Sequence, residues 1–172
     1  MPELGFLWRE SQLIRPATKS DSEAVWTILE PVIRAGETYT QPRDMSKEQA
    51  LAYWFSEEKE PFVWEENHRI LGTYFIKANQ HGGGAHVANC GYITAESERG
   101  RGIARAMCLH SLERAKERGF RAMQFNFVVS TNAAAVKLWS SLGFETVGRL
   151  PLAFDHPAHG FVDALVMYRQ IN

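Results

Sequence analysis

The sequence predicts a mixed α/β fold, one sheet covered by helices, and three observations carry that reading. Through the middle of the chain, strand patterns alternate with helical ones: residues 90–94, a helix opening near Ile103, residues 122–129, and a short helix ending near Leu142. Toward both ends the alternation gives way to hairpin patterns, at residues 62–76 and 144–169. The length of 172 residues, 45% hydrophobic and 12% aromatic, suits one substantial core and gives no sign of two. The single domain is expected over residues 12–172, preceded by an N-terminal arm, residues 1–11, whose Phe6, Leu7 and Trp8 can dock on the body or on a second subunit.

Residues 12–17 read as a first strand closed by Pro16. Ser20-Asp21-Ser22-Glu23 reads as a capping box opening a helix with Ala24, Val25, Ile28, Leu29 and Val32 on one face and a kink at Pro31. A polar-aromatic loop, residues 35–42, follows. Ser46-Lys47-Glu48-Gln49 is a second capping box, and its helix ends in Tyr53-Trp54-Phe55. No basic residues interleave with these aromatics, so they read as core or pocket lid rather than a nucleic-acid stacking platform. Residues 62–65 and 70–76 form a hairpin around Glu66-Asn67-His68. Residues 79–85, with Gly82-Gly83-Gly84, read as a flexible loop, a bare connection or a substrate lid.

The fourth strand, residues 86–94, runs into a polar turn, Glu98-Arg99-Gly100-Arg101-Gly102-Ile103-Ala104, and a helix begins inside its glycines. Ala104, Cys108, Leu112 and Ala115 make its apolar stripe, Ile103 and Met107 widen it, and Gly119 ends it. On residues 122–129, Met123, Phe125 and Phe127 face one way and Gln124, Asn126 and Val128 the other. Ser130-Thr131-Asn132 caps a helix carrying Ala135, Leu138, Trp139 and Leu142, stopped by Gly143. Residues 144–150 and 161–169 are the last strands, with a polar loop, residues 151–160, between them.

A net charge of -1 provides no global field for nucleic acid or an acidic membrane, so an anionic ligand must be held locally. Cys90 and Cys108 have no paired spacing, and no signal peptide or membrane-spanning run is present, which predicts reduced thiols and a cytoplasmic protein. His156 and His159 lack a third ligand at helical spacing and have Pro157 between them, so no metal is expected.

A helix start leaves its first N–H groups unpaired and carries a partial positive charge, and glycines there let a phosphate approach the backbone. Such a turn also serves dinucleotide folds and tight connections. This one lacks both the three-glycine dinucleotide spacing and the Gly-Lys-Ser/Thr ending of a nucleotide-triphosphate loop. Its Arg-x-x-Gly-x-Ala pattern, filled by Arg99, Gly102 and Ala104, resembles the pyrophosphate loop of the GNAT family of N-acetyltransferases, Gln/Arg-x-x-Gly-x-Gly/Ala. The resemblance runs from about Ile14 to the C-terminus. It implies about seven strands in a mixed sheet flanked by helices and splayed between strands four and five, with acetyl-CoA as co-substrate. Arg99, Gly100, Arg101, Gly102, Ile103 and Ala104 would wrap its pyrophosphate, and the backbones of Tyr92, Ile93 and Thr94 would meet its pantetheine arm. Backbone N–H groups near Tyr92 and Ile93 would face the oxyanion. The family pattern Asn-x-x-Ala-x-x-Leu-Tyr is matched at Asn132, Ala135 and Leu138, but Trp139 replaces the tyrosine that usually protonates the thiolate. An indole N–H donates a hydrogen bond and does not give up its proton. Asn132 is therefore read as orienting pantetheine or the thioester, beside a plain cap role.

Segments 36–39, 53–55, 71–77 and 125–132 are similar to family members that acetylate the proline analogue azetidine-2-carboxylate. That similarity implies N-acetyl transfer to a small amino or imino acid by direct attack in a ternary complex, a detoxifying role and a homodimer. Asn126 and the Phe127 N–H would hold the substrate carboxylate with help from Asn89, and Glu37 and Tyr39 would line the acceptor loop. Each asparagine also fits a satisfied core position. The general base stays open among Glu37, His86, Asp155, His156 and a water. The competing functions are acetylation of phosphinothricin-like or other small amines, of protein N-termini or lysines, and CoA binding without turnover.

Overall fold

A computed structural model of the protein describes residues 12–172, so the expected arm, with Phe6, Leu7 and Trp8, lies outside the described residues. In chain order the elements are β1 (Gln12–Pro16), α1 (Ser22–Ala35), α2 (Lys47–Trp54), β2 (Glu60–Glu66), β3 (Arg69–Ala78), β4 (Val87–Thr94), α3 (Ile103–Glu117), β5 (Ala122–Val129), α4 (Ala133–Ser141), β6 (Glu145–His156) and β7 (Gly160–Gln170). The strands form one seven-stranded sheet in the order β1-β2-β3-β4-β5-β7-β6. Every neighbouring pair is antiparallel except β4 and β5. The expected mixed, seven-stranded architecture is what the chain adopts.

Both faces of the sheet are covered, which is why its central strands read as nearly continuous apolar runs. Val63, Phe75 and Ile93 point to α1 and α2, where they meet Val25, Ile28, Leu29 and Trp54. Phe62, Tyr74, Ile76, Cys90, Met123 and Phe125 point to α3 and α4, against Met107, Cys108, Leu112 and Trp139. Two polar side chains taken into this core are paired: the Trp54 indole donates to the Thr73 hydroxyl at 2.9 Å, and that hydroxyl donates to the Phe62 carbonyl at 2.8 Å.

The cap expected at Ser20 lies two residues earlier. Asp21 accepts from the Thr18 N–H at 2.7 Å and from the Thr18 hydroxyl at 3.1 Å, and pairs with Arg15 through two 2.9 Å bonds. Buried Asp21 thus faces a guanidinium, and the Arg15 bonds hold its carboxyl at about 2, below the usual carboxylate range. The α1 helix continues through Pro31 to Ala35. The second box is as expected, Ser46 and Gln49 bonding each other's backbone N–H at 3.2 and 2.9 Å. The loop over residues 79–85 contains a 3₁₀ turn at Gly82–Gly84.

Two strand expectations need correction. The polar loop expected at residues 151–160 is mostly strand, because β6 runs to His156 and the hairpin turn takes only residues 157–159. Pro151 fits there because β6 is an edge strand with a register shift between Leu150 and Phe154, where a missing N–H breaks no ladder. In β5 the alternation slips at a bulge: pairing jumps from Phe125↔Met167 to Val128↔Leu165. Val128 therefore joins Phe125 in the core, and Asn126 is exposed rather than half-buried.

Candidate active site

β4 and β5 pair at only two positions, Val87↔Ala122 and Ala88↔Met123, and then separate. At the fork the Asn89 side-chain amide donates to the Gln124 carbonyl at 2.9 Å. Beyond it the edge of β4 is open, and strand parity decides which peptide groups it presents. The Ala95 N–H donates to Leu71 and the Val87 carbonyl accepts from Asn79, so odd-numbered residues face β3. The His86 carbonyl accepts from Arg121 on the other side, so Cys90, Tyr92 and Thr94 face the gap. Of the three strand residues expected to offer backbone groups, Ile93 is thus turned away, and Cys90, which the sequence reading did not name, takes its place. The signal was available in the period of two along the strand.

The gap is part of a groove of about 1770 Å³ that runs from the turn before α3 to the loop after α1. From that loop the Tyr39 hydroxyl donates to the Tyr92 carbonyl at 3.1 Å. It can approach because residue 91 is glycine: a Cβ there would stand 3.1 Å from the Tyr39 oxygen and 2.7 Å from Phe75. Burial raises the Tyr39 phenol above its ordinary range, so it stays a donor.

At the other end, Gly100 and Gly102 adopt φ of 79° and 82°, the left-handed region that glycine enters at least cost. A Cβ added at either would meet no heavy atom within 4 Å, so the space over the helix start is open. Ala106 is the first residue of α3 whose N–H returns to the helix, donating to Gly102 at 3.0 Å. The Arg99 N–H donates to the Glu96 carbonyl at 3.4 Å, so among the described residues it is the N–H groups from Gly100 to Arg105 that form the open donor set an anion requires. Arg99 is exposed on the groove wall with no ion pair among the described residues. The Arg101 side chain points elsewhere, paired with Glu66 at 2.7 Å and with Glu98, so only its backbone remains for an anion. The Thr94 hydroxyl is buried without a hydrogen-bond partner among the described residues.

Between these ends, Asn132 caps α4, its Oδ1 accepting from the Ala135 N–H at 3.3 Å. That bond leaves the amide Nδ2 without a partner among the described residues, on a side chain that lines the groove, so the cap role does not preclude a ligand role. Trp139 lines the groove and packs at 5.1 Å from both Tyr92 and Phe125. The Tyr92 side chain turns into the core, its hydroxyl 2.7 Å from Ser111, and burial raises its phenol well above the ordinary value. Any reactive contribution of Tyr92 therefore comes from its backbone.

Asn126 and Phe127 lie in the β5 bulge, without ladder partners. The Asn126 amide accepts from Gln124 at 2.8 Å and donates to Asn79 at 2.7 Å. Glu37, Tyr39, Asn89, Asn126, Phe127 and His156 all line the groove, whereas the other base candidates, His86 and Asp155, are exposed and outside it. His156 and His159 pack with ring centroids 4.5 Å apart and their planes tilted by 34°.

Residues 26–144 match the acetyltransferase (GNAT) family. This chain belongs to that family. As a GNAT chain it is an acyltransferase by family, and its split between β4 and β5 is the feature the resemblance implied. A stretch of 98 residues is 35% identical to the N-acetyltransferase aca1 of Schizosaccharomyces pombe, covering 56% of this chain and 47% of that protein, so the chain spans about half the relative's length. A GNAT N-acetyltransferase of Kribbella flavida superposes with a TM-score of 0.89 at 39% identity, covering 94% of this chain and 98% of that one. The Salmonella typhimurium protein yncA, solved with acetyl-CoA, superposes with a TM-score of 0.82 at 22% identity over 94% of each chain, which shows a shared fold.

Proposed function

We propose that the chain transfers the acetyl group of acetyl-CoA to the amine of a small amino or imino acid, by direct attack in a ternary complex. The observation that supports this is the continuity of one groove from an open helix N-terminus, through the split sheet, to a polar-aromatic end lined by Glu37, Tyr39 and Phe127. The co-substrate supplies an activated acetyl thioester. Residues 99–104 hold its diphosphate, Gly100 to Ala104 with backbone N–H groups and Arg99 with a side chain that has no ion pair among the described residues. The exposed edge of β4 at Cys90, Tyr92 and Thr94 binds the pantetheine amides, and the Tyr92 N–H faces the charge that develops on the acetyl oxygen. The Asn132 Nδ2 supports the departing sulfur. A thiol of pKa about 8.5 can leave as thiolate near neutrality with such support, so the absence of an acidic group at Trp139 does not preclude transfer. At the acceptor end Asn126, Phe127 and Asn89 frame the carboxylate, while Glu37 sits where the amine must shed its proton.

The same reading treats residues 12–172 as one domain and the chain as a cytoplasmic homodimer. The edge strand β6 supports the latter, since Val147, Leu150 and Leu152, with Phe161 of β7, expose large apolar side chains beside it.

The test is release of free CoA thiol from acetyl-CoA with a panel of azetidine-2-carboxylate, proline, hydroxyprolines, phosphinothricin and simple amines. Turnover confined to the amino and imino acids supports the reading. Preference for phosphinothricin or plain amines moves the acceptor. Binding of acetyl-CoA without release from any acceptor favours the one competing reading that Trp139 supports, a CoA-binding protein without turnover.

A further inference from the structure

Among the described residues, the arginines that line the groove are all at its phosphate end. Arg69 lies within 3.9 Å of Glu98, Arg99 is in the turn itself, and Arg105 is in the first turn of α3. What the described residues offer a carboxylate at the acceptor end is therefore neutral donors. One buried side chain there has the required form. His156, at the end of β6, is 7% exposed, and it lines the groove. Through Phe154 it is linked to the bulge: Phe127 and Phe154 lie 6.1 Å apart, and Phe154 and His156 6.3 Å.

The hydrogen bonding of this ring fixes what it can do. The Ala158 N–H donates to His156 Nδ1 at 3.1 Å, so Nδ1 must present a lone pair. In the neutral ring the proton then sits on Nε2, which has no hydrogen-bond partner among the described residues. A ring held in this tautomer, on a residue that lines the groove, has its Nε2–H left to donate. It is not arranged to accept a proton there, because Nε2 accepts only if the proton moves to Nδ1, against the Ala158 N–H.

We propose that His156 is an acceptor-binding residue whose Nε2–H, together with the Phe127 N–H freed by the bulge, grips the carboxylate of the amino or imino acid. This rests on the acetyl-transfer reading and deepens it. It also removes His156 from the candidate bases and leaves Glu37 as the side-chain candidate in the groove.

The experiment compares wild type, His156→Phe and His156→Gln with two acceptors that differ only in the carboxylate, proline and pyrrolidine. His156→Phe is expected to raise KM for proline ~10-fold, the order expected for a lost hydrogen bond to a charged group. It should leave kcat within about twofold and KM for pyrrolidine unchanged. His156→Gln, which keeps an N–H donor, should recover part of the loss. Equal losses for both acceptors, or a fall in kcat at constant KM, overturn the proposal. Nitrogen-15 NMR of wild type, with the signal assigned by its disappearance in His156→Phe, should show the Nε2–H tautomer, and the Nδ1–H tautomer overturns the proposal. Titration with acetyl-CoA checks that each variant is folded. If wild type turns over nothing, proline binding in the presence of CoA decides. Binding that is weakened in His156→Phe sustains the His156 assignment and overturns acetyl transfer, and no binding overturns both.

Discussion

The Asn89 side-chain amide spans from β4 to the Gln124 carbonyl of β5 at 2.9 Å, one residue past the last ladder pair between these strands. It replaces a rung that the fork removes. Asn89→Ala leaves a carbonyl without its donor and should lower stability by about 1 kcal/mol. In a chain of this length that is a fall in Tm of roughly 2–4 °C. Thermal melts with and without acetyl-CoA check this. A melt that does not move, with acceptor KM raised, places the amide on the substrate instead.

Gly102→Ala and Gly119→Ala form a matched pair. Both positions have φ near 80° and open space around a new Cβ, so each substitution should cost about 1–2 kcal/mol in backbone strain. Only residue 102 sits over the helix start. Calorimetry should show the Kd for acetyl-CoA rising ~10-fold or more in Gly102→Ala, the weakening expected when a Cβ blocks an anion site at a helix N-terminus. Gly119→Ala should leave it unchanged. Equal Kd values in both variants remove the phosphate role of the turn.

Trp139→Phe should preserve turnover, because the indole is 8% exposed and packs against Tyr92, Phe125 and Phe144. Trp139→Ala opens a cavity in that aromatic group and should lose about 3–5 kcal/mol in urea unfolding. A Trp139→Phe enzyme that binds acetyl-CoA and releases no thiol assigns the indole a part in the reaction.

Asp21 titrates near 2 in the folded chain, below the unfolded value of about 3.9. Its contribution is therefore fully present above about pH 4 and is lost as pH falls toward 2. Because Arg15 is partly exposed, the contribution at neutral pH should be about 1–2 kcal/mol. Denaturant unfolding from pH 7 to pH 2.5 should show Asp21→Asn less stable than wild type at neutrality, with the gap closing on acidification. A constant gap rejects the Arg15 pairing as the cause.

Local chemistry was legible in the sequence wherever a few consecutive residues determine the outcome. The Ser46 box, the α3 stripe, the glycine turn and the Asn132 cap all depend on partners within one or two turns. What escaped depends on distant partners. Arg101 reads as a phosphate ligand until Glu66, 35 residues away, takes its guanidinium. Ser20 reads as a cap until Arg15 and Thr18 claim Asp21. The length of β6 was hidden by Pro151, which breaks a central strand and is tolerated on an edge, and edge position is a property of the whole sheet. The bulge that exposes Asn126 is set by pairing with β7, about 40 residues further on. His156 looked like a loop histidine for the same reason.

The two-rung junction between β4 and β5 has a mechanical consequence. The sheet is two half-sheets, β1–β4 and β5–β7–β6, joined by a short seam, and the rim of β4 beyond that seam is a row of peptide groups inside the molecule with no strand beside it. A small molecule with amides of its own, bound there, would complete that row as a rivet completes a joint. Occupancy should therefore register far from the groove, as slower amide hydrogen exchange in both halves and a higher, more cooperative melt.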